Sequence, residues 1–147
     1  MRANQLTNVK KFIQFSDAVR EFYTYNKEGL EKIGLTVTQA RTLHVLSDFE
    51  GMSQQAAKQF LAVSSSTLSE MITLLEKKEF VVRKVNESNR RFTLIYLTDK
   101  GREVMNELNQ LFKAYCLQMT KNLTQDEVEI FERLLNKLTF YSNEIED

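Results

Sequence analysis

"SQQAAKQFLAVSSSTLSEMITLLEKKEFVVR", Ser53 to Arg83, carries two kinds of periodicity in one stretch. Ser53 has the chemistry of a helix N-cap, and a short amphipathic segment follows it through Phe60. "LAV" interrupts the pattern. Ser64 then caps a second helix, in which Leu68, Met71 or Ile72, and Leu75 recur on one inward face. Two helices of this length joined by a tight turn read as a helix-turn-helix. After Glu79 the helical period gives way to β-branched and aromatic runs, "FVVRKV" and "FTLIYL", separated by "NESNRR". That pattern predicts a β-hairpin with a polar, basic tip.

The flanks extend the pattern. "LTVTQARTLHVLSDFEG" opens with Thr36 and Gln39, spaced as a capping box, and ends at Gly51. Before it, Leu6 to Ile33 carries two stripes: Leu6, Val9, Ile13 and Ser16, and Phe12, Phe15, Val19 and Phe22. This spacing predicts one helix buried on more than one side, with Gly29 and Gly34 punctuating its end. After the hairpin, Thr98 and Asp99 open a long helix. Its apolar face holds Val104, Leu108, Leu111 or Phe112, Tyr115, Met119 and Leu123. Thr124 and Glu127 form a second capping box, followed by Val128, Phe131, Leu134, Leu138, Tyr141 and Ile145 on one face.

The expected fold is mainly α with a small β-hairpin: a winged helix-turn-helix flanked by N- and C-terminal dimerisation helices. Residues 1–35 form the first of these, 36–98 the DNA-binding region and 99–147 the last, in one intertwined domain. The end helices are too apolar to stand free in water, so a homodimer is expected. Two copies also suit a reader of half-sites one helical turn apart.

Composition narrows the function. The chain has 147 residues, one cysteine, one histidine, four glycines and no proline. A lone Cys116 excludes an internal disulfide and a multi-cysteine metal site. There is no phosphate-binding glycine loop and no nucleophile elbow, so neither an enzyme nor a cofactor is expected. No apolar run approaches a membrane span and the start lacks a signal core, which predicts a cytoplasmic chain. Twenty basic and twenty acidic residues cancel overall, but Lys77 to Arg102 holds eight basic against three acidic residues. From Lys121 onward three basic residues face seven acidic ones, so the basic charge is concentrated around the hairpin.

With "LTVTQARTLHVL", the helix-turn-helix and "NRRFTLIYLTDKGREVM" taken together, the chain resembles the MarR family of bacterial transcription regulators. The resemblance implies a homodimer with interlocked end helices, a recognition helix in the major groove and a wing near the minor groove. It also implies double-stranded DNA with a palindromic operator as partner, a repressor by family habit, and a possible small-molecule effector. The chain departs from the family pattern at four positions. Glu70 replaces a usual arginine, Thr73 an aspartate that pairs with a wing arginine, and Asn89 an acidic wing residue. Glu79 replaces a glycine, which disfavours a left-handed exit from the recognition helix.

The candidate DNA-binding residues follow. Ser64, Ser65, Ser66 and Thr67 put hydroxyls beside the unpaired N–H groups of a helix N-terminus, where a phosphate or base edge binds. Ser69, Glu70 and Thr73 lie on the polar face; Glu70 can accept from cytosine N4 and Thr73 can touch a thymine methyl. Arg90 and Arg91 at the wing tip suit a minor groove, and strand alternation would let one reach DNA while the other braces the wing. Lys77, Lys78 and Arg83 supply general phosphate attraction, and Ser53 and Gln54 clamp the backbone. Cys116 reads as a buried structural thiol beside the apolar stripe, and His44 as a core or interface histidine. Phe12, Phe15, Phe22, Tyr23, Tyr25 and Phe49 either fill the core or line an effector cavity. A second reading is a family-shaped interaction module with weak or lost DNA binding, suggested by Glu70, Asn89 and overall neutrality.

Overall fold

The computed structural model describes residues 9–137. Leu6, Leu138, Tyr141 and Ile145, and the side chain of Val19, lie outside what is described. The elements run α1 (Val9–Tyr25), α2 (Lys27–Lys32), α3 (Val37–Ser47), β1 (Met52–Ser53), α4 (Gln54–Leu61) and α5 (Ser65–Lys77). They continue with β2 (Val81–Val85), β3 (Thr93–Leu97), α6 (Asp99–Thr120) and α7 (Gln125–Leu135). The fold is mainly helical around a small antiparallel sheet, a winged helix-turn-helix.

The first helix is divided, not continuous. Asn26 is buried, and its side-chain amide donates to the Phe22 carbonyl at 2.8 Å. That bond competes with the helix's own ladder and separates α1 from α2 without disturbing the apolar spacing. Gly29 lies inside α2. Gly34 ends that helix at φ +74°, with Leu35 N–H donating back to the Leu30 carbonyl at 2.8 Å. The predicted caps are formed: Thr36 and Thr124 each make a full capping box, and Ser53, Ser64 and Thr98 accept from the third helical N–H.

The hairpin belongs to a three-stranded sheet in the order β1-β3-β2. Met52 pairs with Ile95 and Ser53 with Leu94, while β2 and β3 pair from Val81 with Leu97 to Val85 with Thr93. Two residues are too few to show alternation, so β1 leaves no periodic signal. The core gathers Leu30, Leu43, Leu46, Leu68, Ile72, Leu75, Ile95 and Leu108, and so joins α2, α3, α5, the sheet and α6.

Two packing expectations change. Cys116 is exposed, because one residue past buried Tyr115 a helix has turned by about 100° off the apolar stripe. The stripe of α6 is buried only as far as Tyr115; Met119 and Leu123 are exposed, and α7 buries none of its residues within a single copy. Among the described residues no helix is long and apolar enough to cross a membrane.

Candidate nucleic-acid interface

The turn between α4 and α5 is made by Ala62, left-handed at φ 52° and ψ 43°, whose N–H donates to the Lys58 carbonyl at 3.0 Å. It aims the front of α5 outward. There the Ser64 hydroxyl accepts from the Thr67 N–H at 3.1 Å and also contacts the hydroxyls of Ser66 at 3.0 Å and Thr67 at 2.8 Å. Ser64 is therefore engaged in capping, and Ser65, Ser66 and Thr67 are exposed around it. One turn on, Ser69 is half-buried, while Glu70 and Thr73 face solvent. The Thr73 hydroxyl donates to the Ser69 carbonyl at 2.8 Å. The opposite face of α5, with Leu68, Met71, Ile72 and Leu75, is buried, so this polar face is the one left open.

Glu79 adopts the left-handed conformation at φ 64°, against the expectation from its lost glycine. The surrounding bonds hold it there: Phe80 N–H reaches the Leu75 carbonyl at 3.0 Å, and the Thr98 hydroxyl donates to the Glu79 carbonyl at 2.5 Å. Its carboxylate pairs with Lys100 at 2.8 Å, and this hydrogen bond and charge lower its pKa. A left-handed exit that a glycine would adopt without strain is thus reached here through tertiary contacts.

At the wing tip, Asn89 closes a short loop. Phe92 N–H donates to the Asn89 carbonyl at 3.0 Å, and Arg91 N–H donates to the Asn89 side chain at 3.2 Å. Asn89 thereby makes the turn an aspartate would make, without its charge. Arg90 and Arg91 are the two central residues of this turn and both are exposed. Strand alternation does not govern them, because neither lies on a strand.

The remaining cations differ from one another. Lys77 is exposed. Lys78 Nζ is tied to the Gly34 carbonyl and, at 3.1 Å, to the Gln39 side chain. Arg83 is paired with Glu76, and its guanidinium also donates to the Ser69 carbonyl at 3.3 Å. Ser53 and Gln54 are half-buried at the front of α4. Absent from the sequence-based set are Lys84, exposed on β2 with its amine 5.5 Å from the Tyr96 ring centre, and Leu74, exposed on α5. Leu74 lies four residues after Glu70, a helical spacing that places it near the polar face.

Away from this surface, His44 sits among Tyr23, Phe112 and Asn109 where α3 meets α1 and α6. Its Nδ1 is 3.2 Å from the Tyr23 hydroxyl. Burial lowers its pKa, against upward pulls from Asn109, Asp48 and the Ala40 backbone. Phe22 and Tyr23 pack with Phe112 and Tyr115 as core, whereas Phe12 and Tyr25 are exposed. Among the described residues, no group of three histidine, cysteine or acidic side chains is placed to hold a metal.

Residues 35–93, the span from α3 through the wing, match the model of the MarR family. The chain is 26% identical over 131 residues to the HTH-type transcriptional regulator MhqR of Bacillus subtilis, covering 89% of this chain and 90% of that protein. Wild-type MarR from E. coli, in its apo form, superposes with a TM-score of 0.72 at 27% identity, covering 91% of this chain and 98% of that one. A cysteine-to-serine mutant of the same protein, solved in complex with operator DNA, superposes at 0.66 with 27% identity, over 91% and 95% of the two chains. Helix-turn-helix and wing are thus shared with these proteins: residues 35–93 carry the match to the MarR family, and nearly the whole chain is similar to winged-helix transcription regulators, one of them solved on operator DNA.

Proposed function

We propose that the protein is a homodimeric repressor that occupies a palindromic double-stranded operator and is released by a small-molecule effector. The observation that carries the reading is the pairing of an open, hydroxyl-rich face on α5 with two exposed arginines at the wing tip. The helix offers base-reading groups and the wing offers charge for a narrow minor groove. Ser53, Gln54, Ser65, Ser66, Thr67, Ser69, Glu70, Thr73 and Lys77 would supply the remaining contacts, with Ser64 holding the helix start. The E. coli MarR mutant solved with operator DNA supports this use of the fold.

Dimerisation is supported by apolar side chains that one copy leaves in water: Phe12 and Ile13 on α1, Leu117 and Met119 on α6, Ile130 and Leu134 on α7. For release, an open cleft of about 630 Å³ lies between the α3–β1 turn, β3 and α6, lined by Phe49, Tyr96, Arg102 and Met105. Its volume is in the range of small-molecule sites, and it abuts the strand that carries the wing.

Enriching random duplexes on the purified full chain tests the reading. One palindromic sequence should emerge; equal binding of all sequences at modest salt would sink the proposal. Glu70, exposed in the middle of the open face, favours a second reading, an interaction module with weak DNA binding. Glu70→Arg separates the two. A change in the preferred sequence means Glu70 reads a base; a uniform rise in affinity for every duplex means it does not.

A further inference from the structure

Glu76 and Arg83 are seven positions apart, and they meet because the left-handed turn at Glu79 lays β2 back along α5. One carboxylate oxygen of Glu76 accepts the Arg83 backbone N–H at 3.2 Å, and the other pairs with the Arg83 guanidinium. A third bond runs from Nη2 to the Ser69 carbonyl at 3.3 Å, almost two turns earlier in the helix. That carbonyl also receives the Thr73 hydroxyl at 2.8 Å. The two side chains are only 27% and 29% exposed, so the contact is more shielded than an ordinary surface pair. A guanidinium can bridge both acceptors because its donors form a fixed fork; an ammonium is a single point.

We propose that Arg83 is a positioning residue and not a phosphate contact. With Glu76 it locks the wing against the reading face of α5, setting the distance from Glu70 and Thr73 to Arg90 and Arg91 before DNA arrives. Its charge is already neutralised by Glu76, so it adds little to general attraction for DNA. What it contributes is preorganisation, which lowers the ordering cost of engaging two grooves at once. The proposal rests on the DNA-binding reading given above.

The test uses the full chain and the enriched duplex, with affinity followed across a salt series. Arg83→Lys keeps the charge but loses the fork, and Glu76→Gln removes an acidic group from the DNA-facing side. Both should weaken the enriched duplex by about tenfold, as expected for loss of charge-assisted bonds, and weaken random duplex less. The slope of log affinity against log salt should stay that of the parent chain for Arg83→Lys, which keeps both charges of the pair. Arg90→Gln, by contrast, should make it shallower by about one for each phosphate left without its cation. Tighter or unchanged binding by Glu76→Gln overturns the proposal, as does a shallower slope for Arg83→Gln matching that of Arg90→Gln. If Glu76→Gln fails to fold, Arg83→Lys carries the same decision. Amide exchange of the free variants gives a readout without DNA: the residue-83 N–H, which Glu76 accepts, and the Lys84 and Leu94 N–H groups, which pair across the hairpin, should exchange faster, and unchanged exchange overturns the proposal. Faster exchange in a chain whose parent enriches no duplex would instead overturn the DNA-binding reading alone.

Discussion

Ala62 and Glu79 are the two non-glycine residues with positive φ among the described residues, and they bracket α5. Each begins or ends the reading helix with a sharp change of direction that a Cβ disfavours. At Glu79 the chain sustains it with bonds from Thr98 and Lys100, partners that become visible only once the hairpin brings α6 back to the turn. That is why the loss of a family glycine pointed the wrong way in the sequence. Cys116 failed for a simpler reason: a single residue's rotation separates a buried stripe from solvent. His44, expected in the core or at an interface, is half-buried at the edge of the core, and its environment makes a prediction. Burial among Tyr23 and Phe112 holds its pKa below the ordinary 6.5, so the native state refuses a proton that the unfolded chain accepts. The unfolded chain then binds more protons as pH drops below 6.5, and native stability declines with it. His44→Gln should flatten the melting temperature against pH below 6.5 and leave it little changed above. Equal slopes for parent and variant would contradict this account.

At the scale of elements, the wing and the start of α6 carry the sharpest expectations. Replacing Arg90 and Arg91 together with alanine should reduce affinity for the enriched duplex. It should also make the salt dependence shallower by about one for each phosphate the wing neutralises. A gel-shift series at several salt concentrations measures both; an unchanged slope would remove the wing from the electrostatic account. Gly101 sits in the first turn of α6, where an added Cβ would lie far inside van der Waals distance of the Phe80 carbonyl oxygen. That neighbour is backbone and cannot swing aside. Gly101→Ala should cost about 2–3 kcal/mol, as forced overpacking does, read as a lower urea midpoint; an unshifted midpoint would mean that β2 and α6 separate easily. Most elements were legible from periodicity and caps, including both capping boxes and the inward face of α5. The break at Asn26 was not, since a side-chain amide taking a carbonyl leaves the apolar spacing intact. Nor was the Glu76–Arg83 contact, which depends on how a turn folds and not on any repeat.

For the whole molecule, the unevenness of burial matters most. The helix-turn-helix and sheet enclose a tight core, while α7 and the far end of α6 present Leu117, Met119, Ile130 and Leu134 to solvent in one copy. The full chain should sediment at twice its monomer mass at micromolar concentration. Ile13→Glu combined with Leu134→Glu should shift it toward the monomer, because both positions carry exposed apolar side chains that a second copy would cover. Sedimentation of the parent chain as a single copy would remove the dimer from the proposed function.

The central place of β3 also sets an order of assembly. β2 finds β3 across a short loop, so the hairpin can close early and locally. Met52 must wait for Ile95, on the far side of α4, α5 and β2, and its two-residue pairing repays little of that long loop closure. β1 should therefore dock after the hairpin. As the chain emerges from a ribosome, both helices of the reading motif are exposed before the strand that fixes them has been made. Until Leu97 is available, the motif has its helices but not its geometry.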